Sequence, residues 1–285
     1  MPTGPRSSPS PRFSVVVPAV NEELYLGPCL DSLAEQRVAG GLEVVVAANN
    51  SSDGTAAVAG ARGARVVAEP RPGVCWARQA GTEAARGEIV VSTDADTTFT
   101  PTWLARIDER FRADPGLVAV AGPCRFVDAP WWGRIYTTLL FGAVHLVHRL
   151  TGRVLYASAT NIAFRREAFE GYDTSLTQGG DELAVLRQLR RRGRIAFDLG
   201  NPTLTSSRRL RRGLVYNVFV TCFYYYLLGY AVNRLAGRQL LGTAPEIRER
   251  PILAAARRPG VRAWAGMLAA VVGVAVFVRL GWDMA

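Results

Sequence analysis

The chain has 285 residues, 49% of them hydrophobic, which suits one large domain with a substantial core and excludes wholesale disorder. Its net charge of +10 is carried entirely by arginine, since no lysine is present. That bias reflects either codon usage or attraction to anions such as nucleotide phosphates or an anionic membrane surface. No zinc-finger spacing or RNP-like aromatic motif accompanies it, so nucleic acid is not expected as a partner. Cys29, Cys75, Cys124 and Cys222 form no CxxC pair, which argues against a zinc site or a disulfide framework and for a reducing compartment.

Residues 1–12 are rich in Pro and Ser and lack an apolar stretch, so they are expected to be a disordered lead rather than a secretory signal. Phe13 to Pro18 is a short apolar run with β-branched residues, predicting a buried strand ended by Pro18. A helical pattern follows from Leu24 to Leu33, then a strand over Leu42 to Ala48. The cluster from Asn49 to Thr55 is turn and N-cap chemistry opening another helix. A strand at Arg65 to Ala68, a helix from Cys75 to Ala85 and a strand from Glu88 to Thr93 complete the first half. Strands alternating with helices predict an α/β fold with a mostly parallel sheet. In such sheets ligands bind beyond the carboxyl ends of the strands. The clusters Pro18 to Glu22, Asn49 to Asp53 and Asp94 to Asp96 all fall at such ends.

The second half differs. Trp131 to Leu150 is apolar and aromatic with Arg and His set into it, and predicts an amphipathic helix; His145 and His148 share a face but no third metal ligand is evident. Gly213 to Leu235 and Ala263 to Val278 are more apolar still.

Asp94 and Asp96, one residue apart directly after an apolar strand, can hold a hard divalent cation, Mg²⁺ or Mn²⁺, against a diphosphate. Alone, such a pair is as well explained as two solvated loop aspartates. Three longer stretches add to it: FSVVVPAVNEELYLGPCLDSL from Phe13, RPGVCWARQAGTEAARGEIVVSTDAD ending at Asp96, and ASATNIAFRREAFEGYD followed by GGDELAVLRQLRRRGRI. Together they resemble the family 2 glycosyltransferases with the GT-A fold, over Phe13 to Arg212.

The resemblance implies an inverting transferase that uses a nucleotide-diphosphate sugar, UDP- or GDP-linked. It implies that Pro18, Asn21 and Glu22 form the first nucleotide-binding loop. Asn49 and Asp53 would serve the second, Arg78 would lie near the diphosphate, and Asp94 and Asp96 would bind the metal. Asp181 and Glu182 would supply the general base, and Arg208 and Arg209 would engage the diphosphate. Two departures stand out. The family often carries consecutive aspartates where this chain has Ala48 and Asn49, and Asp53 is explained equally well as a helix cap. The acidic pair reads Asp-Glu rather than Glu-Asp; counting back from Leu189 and Gly193 favours Glu182 as base, with Asp181 the competing choice. A membrane-anchored nucleotide-sugar-binding module without turnover is the rival class, and Gln79, where the family often has Asn, belongs to the same set of departures. A dinucleotide-dependent oxidoreductase is excluded by the lack of GxGxxG after the first strand.

Residues 213–285 are expected to be membrane-associated, with a transmembrane helix at about 261–282 framed by Trp264 and Trp282. If 213–235 also spanned, the intervening loop would place Arg234, Arg238, Arg248, Arg250, Arg257, Arg258 and Arg262 away from the catalytic domain, against the positive-inside rule. An interfacial or packed helix is therefore expected there. The expected setting is a cytoplasmic catalytic domain, 13–212, on the cell membrane, with a lipid acceptor entering beside Trp131 to Leu150; a soluble acceptor is the alternative.

Overall fold

The computed structural model describes residues 10–175 and 181–217, together with 224, 228 and 232. The first half runs β1 (Phe13–Ala19), α1 (Glu23–Ala34), β2 (Leu42–Asn49), α2 (Thr55–Ala61), β3 (Arg65–Glu69), α3 (Val74–Ala84), β4 (Ile89–Ser92). The second half runs β5 (Thr97–Thr98), α4 (Trp103–Ala113), β6 (Leu117–Ala121), β7 (Cys124–Val127), α5 (Trp131–Thr151), β8 (Ile162–Arg165), α6 (Asp181–Arg192), β9 (Arg194–Phe197) and β10 (Thr203–Ser206), closing on a 3₁₀ turn at Arg208–Arg212.

Seven strands form one sheet in the order β3-β2-β1-β4-β8-β6-β9. The β3-β2-β1-β4 half is parallel throughout, as the alternating strand–helix pattern predicts. Beyond it the sheet is mixed, because β8 runs antiparallel to both β4 and β6 while β6 and β9 are parallel. A smaller sheet, β5-β10-β7, sits beyond the carboxyl end of β4.

β1 is buried on both faces, which explains its unbroken apolar run. Phe13, Val15, Val17 and Ala19 enter a core built with α1 and α4, whereas Val16 points into the core shared with α3, α5 and α6. The strand does not end at Pro18 as expected; it continues to Ala19, with Pro18 level with Ala47 of β2. The ladder to β4 ends at Val16, whose carbonyl accepts from Thr93. The amide that Pro18 lacks would point to that same side, past the last ladder bond, so the ring breaks nothing.

The disordered lead was also drawn too long. Arg12 is anchored, its Nε donating to Asp108 at 2.9 Å while its backbone bonds Gly40 and Ile89. The expected helices at 213–235 and 261–282 lie outside the continuously described residues. Among the described residues no helix is long and apolar enough to cross a membrane.

Candidate active site

β1, β2 and β3 end within a residue of one another, Ala19 pairing Ala48 and Asn49 pairing Glu69, and β4 leaves the sheet at Ser92, opposite Val16. Three loops therefore open on one edge. The first two are stitched together. Asn21, held at φ 52°, accepts the Ser52 amide at 2.7 Å, and the Glu22 amide donates to the Thr55 hydroxyl at 2.8 Å. Asp53 accepts the amides of Thr55 and Glu23 at 3.0 and 3.3 Å, so it caps α2 and ties it to α1. Burial opposes ionisation there, but these bonds hold its carboxyl below the ordinary range.

Asn49 is 2% exposed. Its amide nitrogen donates to the carbonyls of Glu69 and Arg71 at 2.9 and 2.6 Å, and its oxygen accepts from the Gly73 amide at 3.1 Å. It clamps the loop between β3 and α3. In that loop Glu69 receives Arg71 through two hydrogen bonds of 2.8 and 2.7 Å, and the Arg71 guanidinium stacks 3.6 Å from the centre of the Trp76 ring. Asn50, next in line, takes a left-handed backbone with φ 51°, which asparagine tolerates well.

α3 projects Arg78 beneath the edge of the sheet. The guanidinium is 4% exposed and spans two carboxylates: one terminal nitrogen pairs with Asp181 at the start of α6, and the other donates to Asp94 at 2.7 Å. Arg78, placed near the diphosphate by resemblance, thus ties the loop after β4 to the acidic pair. Its neighbour Gln79 accepts the Tyr172 amide at 2.8 Å and so holds the segment approaching that pair.

The two members of the acidic pair are pushed in opposite directions. Asp181 is buried, yet the charge of Arg78 and hydrogen bonds from Glu182 and Arg78 hold it below the ordinary carboxylate range. Burial, then the charge of Asp181, then the hydrogen bond Glu182 gives it hold Glu182 well above that range.

On the other side of Asp94, the small sheet brings Arg208 to Asp96. β10 pairs antiparallel with β5, and the Ser206 amide bonds the Asp96 carbonyl at 3.1 Å. Two residues on, Arg208 Nε meets Asp96 Oδ2 at 2.9 Å, and its terminal nitrogens grip Glu22 at 3.0 and 2.7 Å. Thr205 donates to the other Asp96 oxygen at 3.3 Å, and the Tyr25 ring lies 5.0 Å from the guanidinium. Burial raises the Asp96 carboxyl to about 6 against the pull of Arg208, with Asp94 and Glu22 adding to the rise. Arg209 is exposed but near enough for its charge to bear on Asp96. Pro18 is half-buried near the end of β1.

Thr205, Tyr25 and the Glu69–Arg71–Trp76 group are not marked by the sequence, because none sits in an acidic or glycine-rich motif. The spacing of Tyr25 from Glu22, one helical turn, was the one available signal. His145 and His148 face the core instead of a metal. His148 Nε2 accepts the Phe197 amide at 3.4 Å, and the Phe197 ring lies beside His145.

A divalent cation can be tested against this donor set. Asp94 is about one-third exposed and keeps an oxygen clear of Arg78, while Asp96 lies behind it on Arg208. Among the described residues no three or more His, Cys, Asp or Glu are grouped so as to hold a metal ion by themselves. Two hard carboxylates without a protein cage fit Mg²⁺ or Mn²⁺, ions that take their remaining ligands from phosphate and water.

A parallel half-sheet with stitched loops at its carboxyl edge, an Asp-X-Asp turn after β4 and an acidic helix start across from it define a GT-A glycosyltransferase fold. Residues 14–173, more than half of the chain, match the glycosyl transferase family 2 model, and the chain belongs to that family. It is 36% identical over 140 residues to an uncharacterised glycosyltransferase of Mycobacterium tuberculosis, covering 48% of this chain and 61% of that one. It is 28% identical over 120 residues to a glucosyl-dolichyl phosphate glucuronosyltransferase of Haloferax volcanii, covering 39% and 37%. Among solved structures it is similar to glucosyl-3-phosphoglycerate synthase from M. tuberculosis in complex with Mn²⁺, UDP-glucose and phosphoglyceric acid. That match has 27% identity and a TM-score of 0.51, and covers 70% of this chain and 73% of the other.

Proposed function

We propose that this protein is an inverting glycosyltransferase that moves a sugar from a nucleotide-diphosphate sugar to a lipid-linked hydroxyl or phosphate at the membrane face. The observation that carries the reading is the reach of one side chain. Arg78 touches Asp94 on the donor side and Asp181 on the other, so metal carboxylate and acidic pair lie about a guanidinium apart. A single displacement needs that arrangement, with the leaving diphosphate and the incoming oxygen on opposite sides of one carbon.

Asp94 and Asp96 would hold Mg²⁺ or Mn²⁺, which supplies charge neutralisation to the departing diphosphate. Arg208 and Arg209 stand on the same side and add fixed positive charge there. One of Asp181 and Glu182 takes the proton from the acceptor hydroxyl. The loops carrying Asn21, Asn49 and Asp53 position the nucleoside. The likeness to a protein named for UDP-glucose and Mn²⁺ supports the donor and metal classes.

The dolichyl phosphate in the name of the Haloferax relative supports a lipid acceptor, and the apolar 213–285 region supports membrane placement with the catalytic domain on the cytoplasmic face. A small anionic acceptor is the second reading, favoured by the likeness to a structure holding phosphoglyceric acid. A screen of UDP- and GDP-sugars with Mn²⁺, following nucleotide release with and without polyprenyl-phosphate lipid, separates them. Release that requires lipid, stops with EDTA and is lost in Asp96→Asn is expected. Lipid-independent release onto phosphorylated small acids selects the second reading, and donor binding without release overturns both.

A further inference from the structure

Among the described residues α5 is partnered on one side only. Trp132, Thr137, Phe141 and Val144 are buried against the body of the domain. The opposite face carries Leu139, Ala143, Leu146 and Leu150, at helical spacings of four, three and four. The leucines are 48%, 58% and 76% exposed, increasing toward the helix C-terminus. Half-buried Ile135 extends the stripe back by one turn, to roughly 22 Å in all at 1.5 Å per residue. No charged side chain interrupts this line. Scattered exposed leucines need no explanation, but a continuous helical stripe of them does.

The surroundings of the stripe are basic. Between Asp128 and Glu167 the chain has no acidic residue, while Arg134, Arg149 and Arg153 fall within it. At the C-terminal end of α5, Arg153 and Arg187 lie close enough to Arg190 for their charges, after burial, to lower its guanidinium pKa. At the other end Trp132 packs with Ala129 and Leu210, with Leu214 against them. Residues 218–285, with the uncharged stretch Ala263 to Val278, therefore continue from a point beside the start of the same helix. Arg134 and Arg149 keep α5 from being apolar all round, so it suits lying on a bilayer rather than crossing one.

We infer that the Leu139–Leu146–Leu150 face of α5 is a docking surface for an anionic lipid bilayer, with the leucines entering the interface and the arginines at its end meeting lipid headgroups. An apolar stripe supplies the insertion, and basic residues beside it supply selectivity for anionic lipid that weakens with salt. The inference rests on the membrane-side placement proposed above and names the face that makes it.

The test uses the full chain with Cys222→Ser, so that the remaining native cysteines are buried. An environment-sensitive fluorophore is attached at Leu146→Cys or, as a control on the far side of the sheet, at Ala57→Cys of α2. Vesicles of phosphatidylglycerol and phosphatidylcholine are compared with phosphatidylcholine alone. At Leu146 the phosphatidylglycerol vesicles should shift emission to shorter wavelength and cut iodide quenching several-fold, with reversal by high salt; the α2 label should stay quenchable. Protein that sediments with vesicles while the Leu146 label remains quenchable overturns the inference, because contact then lies elsewhere. So does absence of vesicle binding. Shielding at Leu146 without lipid also overturns it: concentration dependence would assign the face to a second copy, and concentration independence to residues 218–285 of the same chain. The assay reads no sugar transfer, so any of these failures leaves the transferase assignment untouched.

Discussion

Replacing Arg78 by methionine is the sharpest probe of the site, because the side chain is buried and touches two carboxylates of unequal exposure. Asp94 is partly open to water and can be resolvated when the guanidinium is gone. Asp181 is 3% exposed and cannot. Removing one partner of a buried pair costs about 3–5 kcal/mol, and here nearly all of it falls on Asp181. For a domain of this size that is a loss of roughly 6–20 °C in Tm.

The cost depends on pH with a definite sign. In the wild type the Asp181 pKa is depressed, so its stabilisation is present above the unfolded value of about 3.9 and is lost as pH falls through the folded value. In Arg78→Met burial is opposed only by the hydrogen bonds from Glu182 and the backbone, so that pKa rises and stability is lost as pH rises instead. The gap between the two proteins should therefore widen from pH 4 to pH 8. Guanidinium chloride unfolding of both proteins at a series of pH values checks this. A gap below about 1 kcal/mol, or one independent of pH, would refute the bridging role; the magnitude expected is that of a broken buried pair. Arg78→Lys should fall between, since one ammonium cannot serve both carboxylates in the same planar geometry.

Three further outcomes are expected. If Glu182 is the base, kcat/KM should climb with pH through a pKa above the ordinary carboxylate range, since the protonated side chain must first lose its proton. Glu182→Gln should then reduce turnover by about 10²–10⁴-fold with donor binding retained; a flat profile from pH 5 to 8 selects Asp181 instead. Asn49→Asp should destabilise the fold by about 2–3 kcal/mol in urea titrations, because a carboxylate oxygen would face the Glu69 and Arg71 carbonyls where an amide now donates. Equal stability would show that the clamp is dispensable. Gly87→Ala should cost about 1–3 kcal/mol, because its Cβ would lie 2.6 Å from the Ser14 amide and 2.7 Å from the Phe13 carbonyl carbon. The Ser14 hydroxyl is also 2.7 Å away, but moving it would leave the two contacts with the β1 backbone in place.

The parallel half of the fold was legible because its signals are local. β-branched runs of strand length, each closed by a polar cluster, locate β1, β2, β3 and β4 within a residue or two. The antiparallel β8 and the β5-β10-β7 sheet were not legible, since their strands of two to four residues carry no period of their own and their pairing joins positions 70 to 108 residues apart. The same division runs through the site. Asp94 and Asp96 announce themselves by spacing. That Arg208 would meet Asp96 follows only from the long-range register of β10 on β5. The aspartate that the family often shows at position 49 was noticed as missing. Its consequence became visible only with the Gly73 amide and the two carbonyls around Asn49, a set that matches an amide and mismatches a carboxylate.

The arginines explain how a site so rich in acid stays folded before anything binds. Glu22, Asp94, Asp96 and Asp181 meet at one edge, and like charges at this range would push one another toward protonation. Arg208 answers Glu22 and Asp96, and Arg78 answers Asp94 and Asp181. Guanidinium groups do not titrate in this range, so the compensation cannot be switched off by a proton. Asp94 and Asp96 would hold a cation arriving with a diphosphate, which would supply positive charge to them, and Arg78 and Arg208 would be left to face the phosphates. Metal and donor should accordingly bind with positive coupling, each tightening the other by the same factor, as linkage requires. Titrating Mn²⁺ with and without nucleoside diphosphate measures that factor, and a value of one would show that the arginines keep their carboxylate partners throughout.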